Sequence, residues 1–330
     1  MKRAPIFPPP QFPPVKLRAF QRMPPAVFPA IMGLFGLGLV LRRGAEVIGY
    51  PSAFAEMVLG AVSILWFFAT LGYLLKLRQR PAVIMEDLAI LPGRAGLAAM
   101  SLGVLLLAAT LFPYSLAAAQ GLMFAGLAVH AVLAGLIAMA LARGPAEGRH
   151  VTPVWHLNFV GFIIAGLVAG PLGFVGLGKG ILIGTGAVAA GVWAISLVQL
   201  IKRVPPAPLR PLLAIHLAPA SLLGTVAYLL GMQGLATGFA LLGGVILAGL
   251  VGSARWITAS GFSALWAAFT FPLAAYAGLL LVLATTDDRW AWPGLACLIA
   301  SIGIVPLIAA KVLQAWSKGA LAAKTNAATA

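Results

Sequence analysis

Residues 211–254 read PLLAIHLAPASLLGTVAYLLGMQGLATGFALLGGVILAGLVGSA, and no charged side chain falls between Arg210 and Arg255. A helix needs roughly 20 apolar residues to cross the hydrocarbon core of a bilayer. This stretch therefore holds two crossings joined by a short turn. The same reading extends outward: nothing charged lies between Arg94 and Arg143, between Lys179 and Lys202, or between Arg255 and Asp287. Over all 330 residues, 62% are hydrophobic and 9% charged, a balance no soluble domain of this length has. Transmembrane barrel strands would be about 10 residues long and alternate in polarity. That pattern is absent, so the fold class is all-α integral membrane protein.

The pattern gives ten spans, at about 26–41, 53–75, 95–112, 117–142, 153–175, 180–201, 211–230, 234–254, 260–284 and 291–316. Residues 1–24 are basic and proline-rich, with Pro8-Pro9-Pro10 and Pro13-Pro14, and read as a disordered extended tail. They lack the apolar core and cleavage site of a signal peptide. Residues 25–317 read as a ten-helix transmembrane domain, and 318–330 as a second disordered tail. Of the 22 Lys and Arg residues, all but Arg42, Arg43, Lys179 and Arg289 fall on the side of the N-terminal tail. The positive-inside rule then puts both termini in the cytoplasm, which requires an even number of spans. The net charge of +15 is accordingly a topology signal. The basic residues flank spans, so no nucleic-acid partner is expected. The lone Cys297 excludes an internal disulfide and reads as a packing residue.

Prolines are unevenly placed. Pro29, Pro219 and Pro272 sit within spans one, seven and nine; spans two, four, six and eight have none, while span ten has Pro306. Proline removes a backbone hydrogen bond and kinks a helix. The freed carbonyl is tolerated at membrane depth where protein or water surrounds it, not lipid. Odd-numbered spans are therefore expected to form an inner ring. Links within odd–even pairs are mostly short, so the chain reads as five helical hairpins around a central path. Gly33, Gly36 and Gly38 in span one, and Gly161, Gly166 and Gly170 in span five, allow close helix approach or an open lumen.

In span nine, Phe271 immediately precedes Pro272 near mid-span. If the kinked face lines a pore, its ring projects into it and blocks by bulk and dewetting. The ring's positively polarised edge tolerates an anion better than a cation. The plainer alternative is that Phe271 packs in an apolar helix. The run Leu265-Trp266-Ala267-Ala268-Phe269-Thr270-Phe271-Pro272 resembles the bacterial tellurite-resistance TehA proteins and the slow-type anion channels of plant guard cells, a family that includes yeast malate permeases. Leu217-Ala218-Pro219-Ala220, followed by Ala227-Tyr228-Leu229, resembles the family's span seven, and Phe28 with Gly33-Leu34 its span one. The likeness covers about residues 24 to 316. It implies five hairpins around a central pore, a homotrimer with one pore per subunit, and Phe271 as the occluding gate. Two positions depart from the pattern: Asn158 in span five and Leu102 in span three stand where a proline is expected.

The pore-lining candidates are Phe28, Gly33, Asn158, Pro219, Thr270 and Pro272, with Asn158 and Thr270 as weak hydrogen-bonding groups for an anion. His156 and His216 could face the lumen and titrate; hydrogen bonds to neighbouring helices are the alternative. His130 reads as structural, and Glu56 lies at membrane depth or at the interface. No carboxylate pair, His-rich motif or phosphate-cradling loop is present, so no catalytic residue, metal or cofactor is assigned. The leading function is a passive channel for small inorganic anions, nitrate and halides, in the bilayer of a bacterial inner membrane. The alternative is a secondary transporter of dicarboxylates or oxyanions such as malate or tellurite.

Overall fold

The computed structural model describes residues 18–330. Helices α1 (Pro25–Ile48), α2 (Ala53–Gln79), α3 (Leu91–Leu111), α4 (Leu116–Arg143), α6 (Val175–Lys202), α7 (Ala207–Leu229), α8 (Gln233–Gly252), α9 (Ala264–Ala284) and α10 (Asp288–Ser317) are each long and apolar enough to cross a membrane. The fifth segment, α5 (His156–Ala169), is shorter. It nonetheless runs through the bundle, since His156 and Val160 line a cavity at one end and Leu167 and Val168 one at the other. No strand occurs among the described residues. Among the described residues these nine long apolar helices, with the shorter α5 beside them, make the chain a multi-pass membrane protein.

Burial separates them into two layers. In the apolar stretches of α1, α3, α7 and α9, 67–78% of residues are buried, against 17–33% in the even-numbered helices. The inner helices close a ring, with α1 against α3, α3 against α5, α5 against α7, α7 against α9 and α9 back against α1. Each even helix packs outside its predecessor. The outer faces expose Ile64, Phe67, Val132, Ile183 and Val245, side chains that belong in lipid rather than water. The inner ring of odd helices is thus present as the proline pattern predicts.

The prolines act differently from simple kinks. Helices α7 and α9 each begin as a 3-10 segment, Ala207–His216 and Ala264–Phe269, and become α-helical at Leu217 and Thr270. In α1 the change comes after one turn, at Phe28. Pro29, Pro219 and Pro272 all fall in the first turn of the α-helical part, where a missing N–H costs little. Helix α5 is broken without proline: a π turn at His156–Val160, a 3-10 turn at Gly161–Ala165, then α at Gly166–Ala169. Helix α3 is continuous through Leu102. Pro306 lies inside a continuous, outward-facing stretch of α10.

Three expectations need correction. Helix α1 does not stop near residue 41 but continues to Ile48, because Arg42 and Arg43 are neutralised by Glu56 and Glu46. Within the expected N-terminal tail, residues 1–17 lie outside the described residues, but 18–24 are folded: Met23 is buried and the Phe20 ring meets Phe68 edge-on. The stretch 318–330 is not a free tail either. A short helix, Ala320–Lys324, buries Leu321 and Ala322, and the amide of Ala328 donates to Asp87 Oδ1 at 2.8 Å. Apolar anchors and a buried carboxylate hold it.

Candidate functional site

The path through the inner ring is divided. On the side bearing both termini, a cavity of about 70 Å³ is walled by the first halves of α1, α3, α7 and α9 and by α5, including Pro29, Leu102, Ile215 and Pro219. Among its wall residues His156 alone carries a polar side chain. On the opposite side a wider cavity of about 480 Å³ is walled by the second halves of the same helices, with Arg42, Arg43, Glu46 and Thr225. Only Leu222 and Phe271 belong to both walls. These two side chains lie between the two cavities.

The local sequence explains how Phe271 is held. It is the second residue of the α-helical part of α9, just after the 3-10 segment. Helix α1 approaches α9 closely at two glycines one turn apart. A Cβ at Gly33 would lie 2.0 Å from Thr270 Oγ1, and one at Gly36 3.0 Å from the Phe271 ring. The absent side chains leave the space in which the ring lies, 6% exposed. Leu222 stands one turn after Pro219, on the same face of α7.

Several candidate residues lie elsewhere. Phe28, 1% exposed, belongs to the core between helices rather than to either cavity wall. Gly33 is a helix contact, since its open face is filled by Thr270. Thr270 is fully buried and donates its hydroxyl to the Ala267 carbonyl at 2.6 Å, so it has no proton left for an anion. Asn158 is 1% exposed and absent from the cavity wall, with its Oδ1 unpartnered. Pro219 and Pro272 line the terminus-side cavity. His130 is fully buried and bonds through Nδ1 to Ser101 Oγ at 2.8 Å, a tie between α3 and α4. His156 and His216, far apart in sequence, are brought together at 2.9 Å.

Sequence reasoning missed the cluster at the opposite mouth. Arg42 makes a two-pronged pair with Glu56, Nε to Oε1 at 2.7 Å and Nη2 to Oε2 at 2.6 Å. It also donates to the carbonyls of Ala109 and Thr110 at the end of α3. Those last-turn carbonyls lack intrahelical partners and carry the helix's negative end. Arg42 thus pins α1, α2 and α3 together and is not a free cation. Arg43 pairs with Glu46, so the vestibule's charges are balanced locally. Among the described residues no cluster of His, Cys, Asp or Glu could hold a metal ion.

A family model described as SLAC1, voltage-dependent anion channel, matches residues 22–313. No curated protein matches the chain.

Proposed function

The chain belongs to the voltage-dependent anion channel family, a family of anion channels and transporters, and from that premise we propose that it is a passive channel for small monovalent anions with Phe271 as its gate. One observation carries this reading: two chambers enter the inner ring from opposite sides and meet only at Phe271 and Leu222. An apolar wall offers a passing ion no fixed cation. Selection then follows the cost of shedding water, and nitrate, iodide and bromide pass more readily than chloride or fluoride. An aromatic ring across a narrow apolar path keeps it closed and dry. Opening requires the ring to rotate away. The protein acts in a bacterial inner membrane, as a homotrimer, with both termini cytoplasmic. Basic residues on that face raise the local anion concentration.

The alternative, a transporter of dicarboxylates or oxyanions such as malate or tellurite, needs a cation able to hold a doubly charged substrate. The arginines in the wider chamber are already engaged by Glu56 and Glu46, which favours the channel. Liposomes containing the Phe271→Ala protein test the two. A channel gives non-saturating flux with nitrate faster than chloride and malate slowest. Saturating malate flux exceeding that of nitrate would establish the transporter.

A further inference from the structure

We propose that the His156–His216 pair is an anion-binding site in the wall of the pore, which takes up one proton together with one monovalent anion. The proposal rests on the channel reading, because it makes His156 a contact of the permeating ion.

The geometry begins with the bond itself. His156 Nε2 lies 2.9 Å from His216 Nδ1, with the rings nearly perpendicular. One of the two nitrogens donates and the other accepts. In the neutral pair the second proton resides on only one outer nitrogen, either Nδ1 of His156 or Nε2 of His216. Adding a proton removes this choice. Both outer nitrogens then carry N–H, whichever ring holds the bridging proton, and the pair bears one positive charge.

The placement makes this consequential. His156 is 3% exposed, lines the terminus-side cavity and is the one polar side chain in that wall. Its Nδ1 is buried without any partner. A buried, unpaired ring nitrogen costs free energy on the order of 1–3 kcal/mol unless something visits it. An anion in the cavity is that visitor once the His156 ring turns its Nδ1 edge towards the lumen: Nδ1–H of the protonated pair donates to it, and its charge offsets the imidazolium in a wall that otherwise offers no counter-charge.

Neighbouring groups leave the pair in control. The elements around the start of α5 bring Trp193 from α6, His130 from α4, Arg94 from α3 and His216 from α7. His130 is turned onto Ser101 and Arg94 towards the carbonyl of Gly148. Helices α1 and α9 present only apolar side chains to this cavity. His216 is itself fixed to α6, its carbonyl accepting from Trp193 Nε1 at 3.2 Å. The His216 backbone is therefore tied to α6, and the proton count of the pair is the variable that matters for an anion.

Linkage sets the signature. If the protonated pair binds the anion and the neutral pair does not, the anion raises proton affinity by the factor by which the proton raises anion affinity. Apparent nitrate affinity rises as pH falls, by at most about tenfold per pH unit for one coupled proton.

The test is proton uptake by purified wild-type protein in weakly buffered detergent solution near pH 5.5, read with an indicator dye as sodium nitrate is added against sodium gluconate. The expected result is saturable uptake approaching about one proton per chain. It should be lost in His156→Gln, which keeps a hydrogen-bonding amide towards His216 but cannot be protonated. No nitrate-driven uptake by the wild-type protein, or undiminished uptake by a well-folded His156→Gln, overturns the proposal. This readout needs no open pore. A silent Phe271→Ala channel would count against the gate alone, and proton uptake would still decide the histidine pair.

Discussion

Phe271 and Gly36 form one unit across the α1–α9 contact. The space the ring occupies exists because residue 36 has no side chain. A methyl group placed there would lie 3.0 Å from the ring edge, so the ring must shift by a few tenths of an ångström. Gly36→Ala should therefore raise basal anion leak well above that of the wild type while leaving it below that of Phe271→Ala, measured as dye-reported halide flux in liposomes. Leak equal to the wild type would mean that the ring is not the barrier. The position of Phe271 before a proline in a charge-free span is legible in the sequence, and the fold sets it between the two cavities. Thr270 and Gly33 lie in the same motifs, but they pack against each other between α1 and α9 instead of facing the lumen. Two adjacent helical residues point about 100° apart, and sequence does not say which direction is inward. Leu222 had a readable signal, one turn beyond Pro219. The Arg42–Glu56 pair had none, since it joins two helices across a turn.

At the scale of elements, the ring of odd helices was legible and the form of its breaks was not. Prolines mark where α-helix begins after a 3-10 segment, and α5 makes its break with none. Local backbone choices of that kind depend on neighbours such as His130 and Leu102, against which Gly161 packs. The fold at the terminus-bearing face was equally hidden. Asp87, fully buried on the short helix Val83–Ala89, accepts from Lys76 Nζ at 2.7 Å, from the Tyr73 hydroxyl at 3.0 Å and from the amide of Ala328. Lys76 also donates to the carbonyl of Met23. The Lys76–Asp87 pair thus joins α2, the α2–α3 link and both terminal segments. Removing one member of a buried ion pair leaves the other uncompensated, at a cost of about 3–5 kcal/mol. Asp87→Ala should lower the melting temperature in detergent markedly, and Lys76→Met/Asp87→Leu should recover part of the loss. A double variant less stable than Asp87→Ala would show that the charge is not the cause.

For the whole molecule, polarity and layering follow from composition. Helices with little charge and large apolar side chains outside, and small residues and prolines inside, form a two-layered cylinder with lipid on one side and a path on the other. At the proposed gate, Phe271 and Leu222 stand between a narrow chamber on the terminus-bearing side and a wide one opposite. That plan suits a conduit whose resistance is concentrated at a single point. The most direct measurement is current through purified protein in planar bilayers, wild type beside Phe271→Ala, in symmetrical nitrate. The account predicts small wild-type currents and mutant currents at least about tenfold larger, a fall in the barrier of roughly 1.4 kcal/mol or more. Equal currents from two well-folded proteins would contradict it.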